Sequence, residues 1–207
     1  MGFHVDELPS GLQLCKDGER GGAMLRPQDL KRRLQQGKKL LLARACKAAP
    51  GITVLDATAG FGLDGLTLAA LGCSVTLCER HPLVFEILVD GLRRLGPAPD
   101  APGEVEAVRA EARLILEQEG LYDVIYLDPI FPERSKKALP NKRARYLAEL
   151  VGHDESPHEE LVRLALARAR ERVVVKRRLH DPEAGPDGRK PDFVLAGKSV
   201  RFDVYRP

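Results

Sequence analysis

Several residue types are scarce in this 207-residue chain, and their scarcity excludes whole classes of protein. Tryptophan is absent, and there are only five histidines and four cysteines. Cys15, Cys46, Cys73 and Cys78 form no Cys-x-x-Cys pair and have no histidine at zinc-ligand spacing, so we expect neither a disulfide scaffold nor a metal site. No uncharged apolar run approaches the roughly 18 residues that span a bilayer, which predicts a cytoplasmic protein without membrane contact.

The composition that remains is that of a folded protein with a substantial core. Hydrophobic residues make up 43% of the chain and charged residues 30%, with a formal net charge of +3. The length favours one domain with an appendage. We expect an N-terminal extension and helix over residues 1–47 and a catalytic domain over residues 48–207. Residues 1–27 have little pattern beyond one possible short strand at 12–15, and the oligomeric state cannot be read from the sequence.

From residue 51 onward, strand and helix patterns alternate. Short β-branched runs alternate with helical patterns, and the chain ends in two strand-like runs joined by three residues. This order predicts an α/β fold with a parallel sheet that ends in an antiparallel hairpin. Such a sheet looks like that of the class I methyltransferases that use S-adenosylmethionine. The expected strands are 52–56, 74–79, 105–109, 123–128, 172–176, 193–195 and 199–205.

A glycine-rich turn follows the first of these strands. Gly60, Gly62 and Gly65 match the dinucleotide pattern G-x-G-x-x-G, and Glu79 lies 19 residues beyond Gly60, so a literal interpretation is NAD binding. That pattern works by offering helix amides to a diphosphate. We expect Asp64 to cap those amides itself. A carboxylate 4 Å from a phosphate would oppose binding by about 4 kcal/mol.

A cationic cofactor without phosphate fits the same turn better. S-adenosylmethionine carries an ammonium and a sulfonium, so Asp56 and Asp64 would attract it. The turn glycines would let the protein backbone approach the cofactor closely. Glu79 is placed for the ribose hydroxyls. The Glu111-Ala112 pair after the third strand suits adenine. We therefore predict S-adenosylmethionine as the cofactor, bound at the carboxyl edge of the sheet.

The run Asp128-Pro129-Ile130-Phe131 after the fourth strand predicts the reaction. It resembles the Asp/Asn-Pro-Pro-Phe/Tyr motif of methyltransferases that modify exocyclic amines of nucleobases. The Asp128 carboxylate and the Pro129 carbonyl can each accept one N–H of the amine, and Phe131 can stack on the base. Positioning and electrostatics would then provide the catalysis. The target base must be unpaired or flipped out of a duplex.

A basic run directly follows this motif and is a candidate RNA-binding segment. Six positive charges fall within twelve residues without an intervening acid, and neutralised phosphates supply much of the affinity for nucleic acid. A solvated helix face is the alternative interpretation. Lys176, after the fifth strand, could extend the surface. The six residues of the run are Arg134, Lys136, Lys137, Lys142, Arg143 and Arg145.

Taken together, these motifs resemble one family over about residues 35–207. The ordered segments 56–64, 79–82, 126–132, 173–177 and 201–205 look like the 16S ribosomal RNA guanine-N2 methyltransferases, the small-subunit methyltransferase J family. The resemblance implies methylation of the 2-amino group of one guanine in 16S rRNA, with 16S rRNA or the small ribosomal subunit as partner. It also implies a cofactor pocket formed by Leu63, Asp64, Glu79, Arg80, Glu111, Ala112 and Asp128.

Three other functions remain open on the sequence alone. The glycine spacing is compatible with an NAD-dependent oxidoreductase. A non-catalytic RNA-binding module with a vestigial pocket would keep the basic run. The Asp-Pro-x-Phe motif also suits adenine N6 in DNA or RNA, because both amines present two N–H donors. The last strand alternates Asp203 and Tyr205 with apolar residues, and we expect these two side chains at the strand surface.

Overall fold

The structure, a computed structural model, describes residues 2–96, 103–118, 120–130, 141–152, 158–181 and 185–207. Within these residues the centre of the fold is a seven-stranded sheet with the strand order β5-β4-β3-β6-β7-β9-β8. The first five strands in that order are parallel, and β7, β9 and β8 pair antiparallel. The strands are β3 (Thr53–Asp56), β4 (Ser74–Cys78), β5 (Val105–Val108), β6 (Tyr122–Leu127), β7 (Ala169–Arg178), β8 (Phe193–Ala196) and β9 (Val200–Tyr205). The predicted fold class is confirmed.

Helices cover both faces of this sheet. The buried side chains divide into one cluster that includes Leu42, Leu68 and Val174 and another that includes Leu55, Ile125 and Val173. Consecutive residues of β3, β6 and β7 thus point to opposite cores, which explains their unbroken apolar runs. The helices are α1 (Pro27–Leu34), α2 (Leu41–Ala45), α3 (Leu63–Ala70), α4 (Pro82–Leu95), α5 (Ala112–Glu117), α6 (Lys142–Val151) and α7 (His158–Arg168).

The N-terminal segment contains more structure than the sequence predicts. A two-stranded antiparallel hairpin is formed by β1 (Phe3–Leu8) and β2 (Gly11–Lys16), of which only 12–15 was expected. The pattern of β1 is short, because the alternation of Phe3 and Val5 with the exposed His4 and Asp6 ends at Glu7, which is also exposed. On the face opposite His4 and Asp6, Phe3 packs edge-on against Tyr146 of α6, with the ring centroids 5.2 Å apart. The spacing of leucines after Pro27 predicts a helix broken or kinked near Gly37, and a short 3-10 turn there does separate α1 from α2.

The direction of the strand order reverses between β3 and β6. From β3 the chain proceeds outward to β4 and β5, and it then returns to the other side of β3 for β6 and β7. In open α/β sheets this reversal leaves a crevice at the carboxyl ends of the two central strands, where ligands bind. Asp56 ends β3 and Asp128 directly follows β6, so both acids lie at that crevice. Among the described helices, none is both long and apolar enough to cross a membrane.

Candidate active site

The glycines of the turn after β3 are required by the backbone and by packing. Gly62 begins α3 with a left-handed φ of 81°, and a Cβ there would collide with the side chain of Leu88. Gly65 lies against β4, where a Cβ would collide with Leu77. The third glycine of the dinucleotide pattern also serves close packing of the helix on the strand. The G-x-G-x-x-G spacing therefore does not by itself identify the ligand.

Asp64 does not cap α3, and that expectation is wrong. Gly62 is the N-cap residue and no side chain caps the helix. The Asp64 carboxylate turns into the crevice, where it accepts hydrogen bonds from Tyr126 Oη at 2.6 Å, Arg33 Nη2 at 2.6 Å and Lys176 Nζ at 2.9 Å. Burial raises the pKa of Asp64, but Lys176 and Arg33 outweigh it and lower the pKa to about 2. Asp64 is therefore a carboxylate at neutral pH.

Asp128 shares the ammonium group of Lys176 with Asp64. Lys176 Nζ lies 2.6 Å from Asp128 Oδ2. The backbone N–H of Asp128 donates to the hydroxyl of Thr58 at 2.7 Å, which fixes the residue against the loop after β3. The Asp128 side chain keeps 37% of its surface accessible, compared with 11% for Asp64. Asp128 is thus the open member of the pair, and Pro129 follows it directly.

Asp56 completes a group that we call the carboxylate cluster, defined as Asp56, Asp64 and Asp128 with the cations Arg33 and Lys176. Asp56 is 1% exposed. Burial, followed by the negative charges of Asp64 and Asp128, raises the pKa of Asp56 well above its usual range. The cluster holds three carboxyl groups and two cations, so a further positive charge nearby would favour the ionised form of Asp56.

Glu79, at the end of β4, is held by the backbone on both of its oxygens. Oε2 accepts the N–H of Gly60 at 3.0 Å and Oε1 accepts the N–H of His81 at 2.7 Å. Burial raises its pKa, and these two hydrogen bonds oppose the rise. A carboxylate oxygen can accept more than one hydrogen bond, so Glu79 keeps acceptor capacity for a pair of hydroxyls.

The other predicted cofactor residues lie around the same edge of the sheet. Leu63 is the first residue of α3 and is partly exposed. Arg80 donates to the carbonyl of Val151 at the end of α6, at 3.3 Å. Glu111 is the exposed N-cap residue of α5 and Ala112 is its first residue. Their roles stay predictions.

The predicted RNA-binding residues divide into two groups. Arg134, Lys136 and Lys137 lie outside the described residues, as does Phe131 of the reaction motif. The described ones have partners within the protein. Lys142 donates to the carbonyls of Arg20 and Gly21, while Arg143 pairs with Asp29 and Arg145 with Glu19. These three hold α6 against the N-terminal segment, and RNA binding by them stays a prediction.

Lys176 was predicted to extend an RNA-binding surface, but it lies in the crevice. Its ammonium group lies between Asp64 and Asp128, and its side chain is 18% exposed. Sequence reasoning also missed Arg33, Tyr126 and Thr58, which hold the two carboxylates. Of these three, only Tyr126 could have been identified from the sequence, because the hydroxyl of a tyrosine within an apolar central strand needs a hydrogen-bond partner. Arg33 could not, since its contact with Asp64 joins two distant segments.

Comparisons with known proteins agree with this geometry. Residues 25–207 match the family model described as "Putative SAM-dependent methyltransferase". The chain belongs to this family of S-adenosylmethionine (SAM)-dependent methyltransferases. A solved SAM-dependent methyltransferase from Neisseria gonorrhoeae superposes with a TM-score of 0.73 at 30% identity, covering 100% of this chain and 83% of that one. The predicted cofactor is confirmed as SAM, and the NAD interpretation is not supported.

Two curated relatives carry a more specific name. Ribosomal RNA small subunit methyltransferase J of Pseudomonas aeruginosa (strain UCBPP-PA14) is 44% identical over 185 residues, which cover 84% of this chain and 69% of the relative. The protein of the same name from Coxiella burnetii (strain RSA 331 / Henzerling II) is 43% identical over 174 residues, covering 82% and 67%. This chain is thus an enzyme of the methyltransferase class, and the resemblance to the J family is confirmed.

The residues at the crevice fit this cofactor. The carboxylate cluster has one carboxyl group more than it has cations, which suits a ligand that brings a sulfonium and an ammonium. Glu79 has acceptor capacity for hydroxyls, and Gly60 and Gly62 of the turn beside it both have left-handed φ values, 54° and 81°.

Proposed function

We propose that the enzyme transfers a methyl group from SAM to the exocyclic N2 amine of a specific guanine in 16S rRNA. The observation that carries the proposal is the position of Asp128. It directly follows the central strand β6, is partly accessible, and belongs to a cluster with more carboxyl groups than cations. The relatives named small subunit methyltransferase J support the rRNA substrate.

Four groups of residues would hold the cofactor. Glu79 would bind the ribose hydroxyls, and Glu111 with Ala112 the adenine. The carboxyl groups of Asp56, Asp64 and Asp128 would attract its positive groups, with Leu63, Gly60, Gly62 and Arg80 lining the pocket. The chemistry that SAM supplies when bound is an electrophilic methyl group on a positively charged sulfur.

The reactive amine of guanine is a weak nucleophile because its lone pair is delocalised into the ring. Lys176 donates to Oδ2 of Asp128, and within the described part of the chain Oδ1 has no hydrogen-bond donor. Oδ1 and the Pro129 carbonyl would each accept one N–H of the amine, which would orient its lone pair for attack. Phe131 would stack on the base. The proton that the amine loses would leave to Asp128 or to solvent after methyl transfer.

Lys176 would serve as a positioning residue in this arrangement. Its ammonium group holds Asp128 by one oxygen, which fixes the plane of the carboxylate, and it keeps Asp64 and Asp128 from repelling each other. The backbone hydrogen bond from Asp128 to Thr58 restrains the same residue from the other side. Preorganised acceptors of this kind are the main catalytic device available when no covalent intermediate forms.

The decisive experiment is mass spectrometry of 16S rRNA nucleosides from a strain that lacks the gene. We expect loss of one N2-methylguanine, recovery with the wild-type gene, and no recovery with Asp128→Asn. Asp187→Asn is the matched control, because its carboxylate is exposed and pairs with Arg163 far from the crevice. Loss of an N6-methyladenine instead would favour the alternative substrate, and unchanged rRNA would overturn the proposal.

A test with purified protein separates the cofactor from the substrate. SAM and S-adenosylhomocysteine should raise the melting temperature, whereas NAD should not, since a ligand stabilises only a protein that binds it in the folded state. Asp187→Asn should respond in the same way as wild type.

A further inference from the structure

The outer face of the N-terminal hairpin brings together three different metal-ligating side chains. His4 and Cys15 are directly opposite each other in the β1–β2 register, and Asp6 lies two residues along the same face from His4. Cys15 is buried beneath the segment that follows the hairpin, while His4 and Asp6 are about half exposed. A thiol, an imidazole and a carboxylate therefore converge on one side of two short strands.

Two of their three spacings are close to the edge length of a coordination tetrahedron. His4 Nε2 lies 3.5 Å from Asp6 Oδ1, Cys15 Sγ lies 3.2 Å from Asp6 Oδ2, and one ligand atom from each residue lies within 4.8 Å of the other two. Bonds of about 2.0 Å to nitrogen and oxygen and about 2.3 Å to sulfur place tetrahedral ligands roughly 3.3–3.6 Å apart. Only small movements would bring these three atoms around one ion.

A fourth side chain orients the histidine for this role. Asp17 Oδ1 lies 3.2 Å from His4 Nδ1, and Asp17 Oδ2 accepts the backbone N–H of Gly2 at 2.8 Å. An acceptor at Nδ1 places the ring proton there and leaves the Nε2 lone pair directed toward Asp6 and Cys15. Histidines that bind metals usually donate their other ring N–H to a carboxylate in this way.

We propose that His4, Asp6 and Cys15 bind a divalent ion of zinc-like chemistry, with Asp17 as the residue that orients His4. A nitrogen, an oxygen and a sulfur ligand suit Zn²⁺, and the exposed side of the trio leaves the fourth position to water. The sequence expectation of no metal site considered ligands that are close in the chain, whereas strand pairing brings His4 and Cys15 together across eleven positions.

Metal binding at this site displaces the thiol proton of Cys15. The Cys15 thiol donates to Asp6 in the structure, and burial together with that hydrogen bond raises its pKa to about 11. The free thiol is therefore protonated at neutral pH. Binding forms a metal–thiolate bond and releases the thiol proton to solvent.

The test uses the full-length chain without an affinity tag. Titration with Zn²⁺ against a chromophoric chelator should give one ion per chain, and Co²⁺ should produce a thiolate-to-cobalt charge-transfer band. His4→Gln should weaken Zn²⁺ binding by at least about 100-fold and Asp17→Asn by about 10–100-fold. Cys15→Ala should abolish the cobalt band.

The control substitution is Glu7→Gln. Glu7→Gln removes a carboxylate from the same strand on its other face, where residue 7 is opposite Leu12, and should bind Zn²⁺ as wild type does. His4 is half exposed, so the fold does not depend on it even if Cys15→Ala proves unstable. Failure to bind one equivalent, a wild-type protein without the cobalt band, or equal affinity in His4→Gln would overturn the proposal.

Discussion

Two ion-pair networks surround buried aspartates in this protein, and they differ in charge balance and in access to solvent. The carboxylate cluster has three carboxyl groups and two cations, and its member Asp128 is 37% exposed. In the second network Asp203 lies between two guanidiniums, with Arg177 Nε at 2.9 Å and Arg201 Nε at 2.8 Å. Asp203 is 0% exposed, and the two arginines are 8% and 5% exposed.

The difference separates a structural network from a binding site. Arg201 also donates to the carbonyls of Leu179 and Asp181, so it is held by partners within the protein. The carboxylate cluster has more carboxyl groups than cations and opens to the crevice at Asp128, so a cationic ligand there would favour the ionised form of its carboxyl groups. Asp203 and Tyr205 were expected at the strand surface, but both are 0% exposed. The polarity of Asp203 therefore reflects a buried ion pair.

The largest effect on stability should come from the second network. Asp203→Asn removes a fully buried carboxylate from its two ion pairs, and breaking a buried ion pair costs about 3–5 kcal/mol of unfolding free energy. Denaturant unfolding measures the loss. Asp187→Asn, on the surface, should stay within about 0.5 kcal/mol of wild type. A small loss in Asp203→Asn would remove the distinction between the networks.

An Asp→Asn substitution in the carboxylate cluster should lower the catalytic rate and leave the stability nearly unchanged. Asp128→Asn retains the shape of the side chain but weakens it as an acceptor, and losing one such transition-state contact lowers kcat by about 100–1000-fold. Single-turnover methylation of 16S rRNA measures this. The unfolding free energy should change little, because Lys176 keeps Asp64 as a partner. Loss of stability as large as in Asp203→Asn would contradict the comparison.

Glu79 tests whether the crevice binds the ribose. Glu79→Gln replaces an ionised acceptor by a neutral amide, and hydrogen bonds to charged groups contribute about 1.5–3 kcal/mol. SAM affinity, measured by calorimetry, should fall by about 10–100-fold. Glu106→Gln is the control, since Glu106 on β5 is exposed and binds Thr76. Equal affinity in Glu79→Gln and wild type would remove Glu79 from the pocket.

Low pH should weaken the ion pairs of the carboxylate cluster by protonating Asp64. Its pKa is lowered from 3.8 to about 2, so the stabilisation from its ion pairs is complete above about pH 4 and is lost as the pH falls toward 2. The contribution is on the order of 2 kcal/mol. Unfolding free energies measured across this range should fall less steeply in Asp64→Asn than in wild type. Parallel pH profiles would show that Asp64 is not the responsible group.

The sequence predicted the parts that depend on local pattern. The five parallel strands, the final hairpin and the break at Gly37 follow from periodicity and turn residues, and Asp56, Glu79 and Asp128 were found because each lies at or directly after a strand end. The contacts of Arg33 and Lys176 were missed because they join segments 31 and 112 residues away from Asp64. Strand β1 was missed because its alternation of apolar and polar residues ends after four residues, at Glu7.

The central claim is that the Asp128 carboxylate faces the positive sulfur of the methyl donor. The direct test compares affinities for SAM and for S-adenosylhomocysteine, which lacks that charge, in wild type and in Asp128→Asn. We expect the substitution to weaken SAM binding at least about tenfold more than it weakens S-adenosylhomocysteine binding, because only SAM loses the attraction to a charged sulfur. An unchanged ratio of the two affinities would contradict the account.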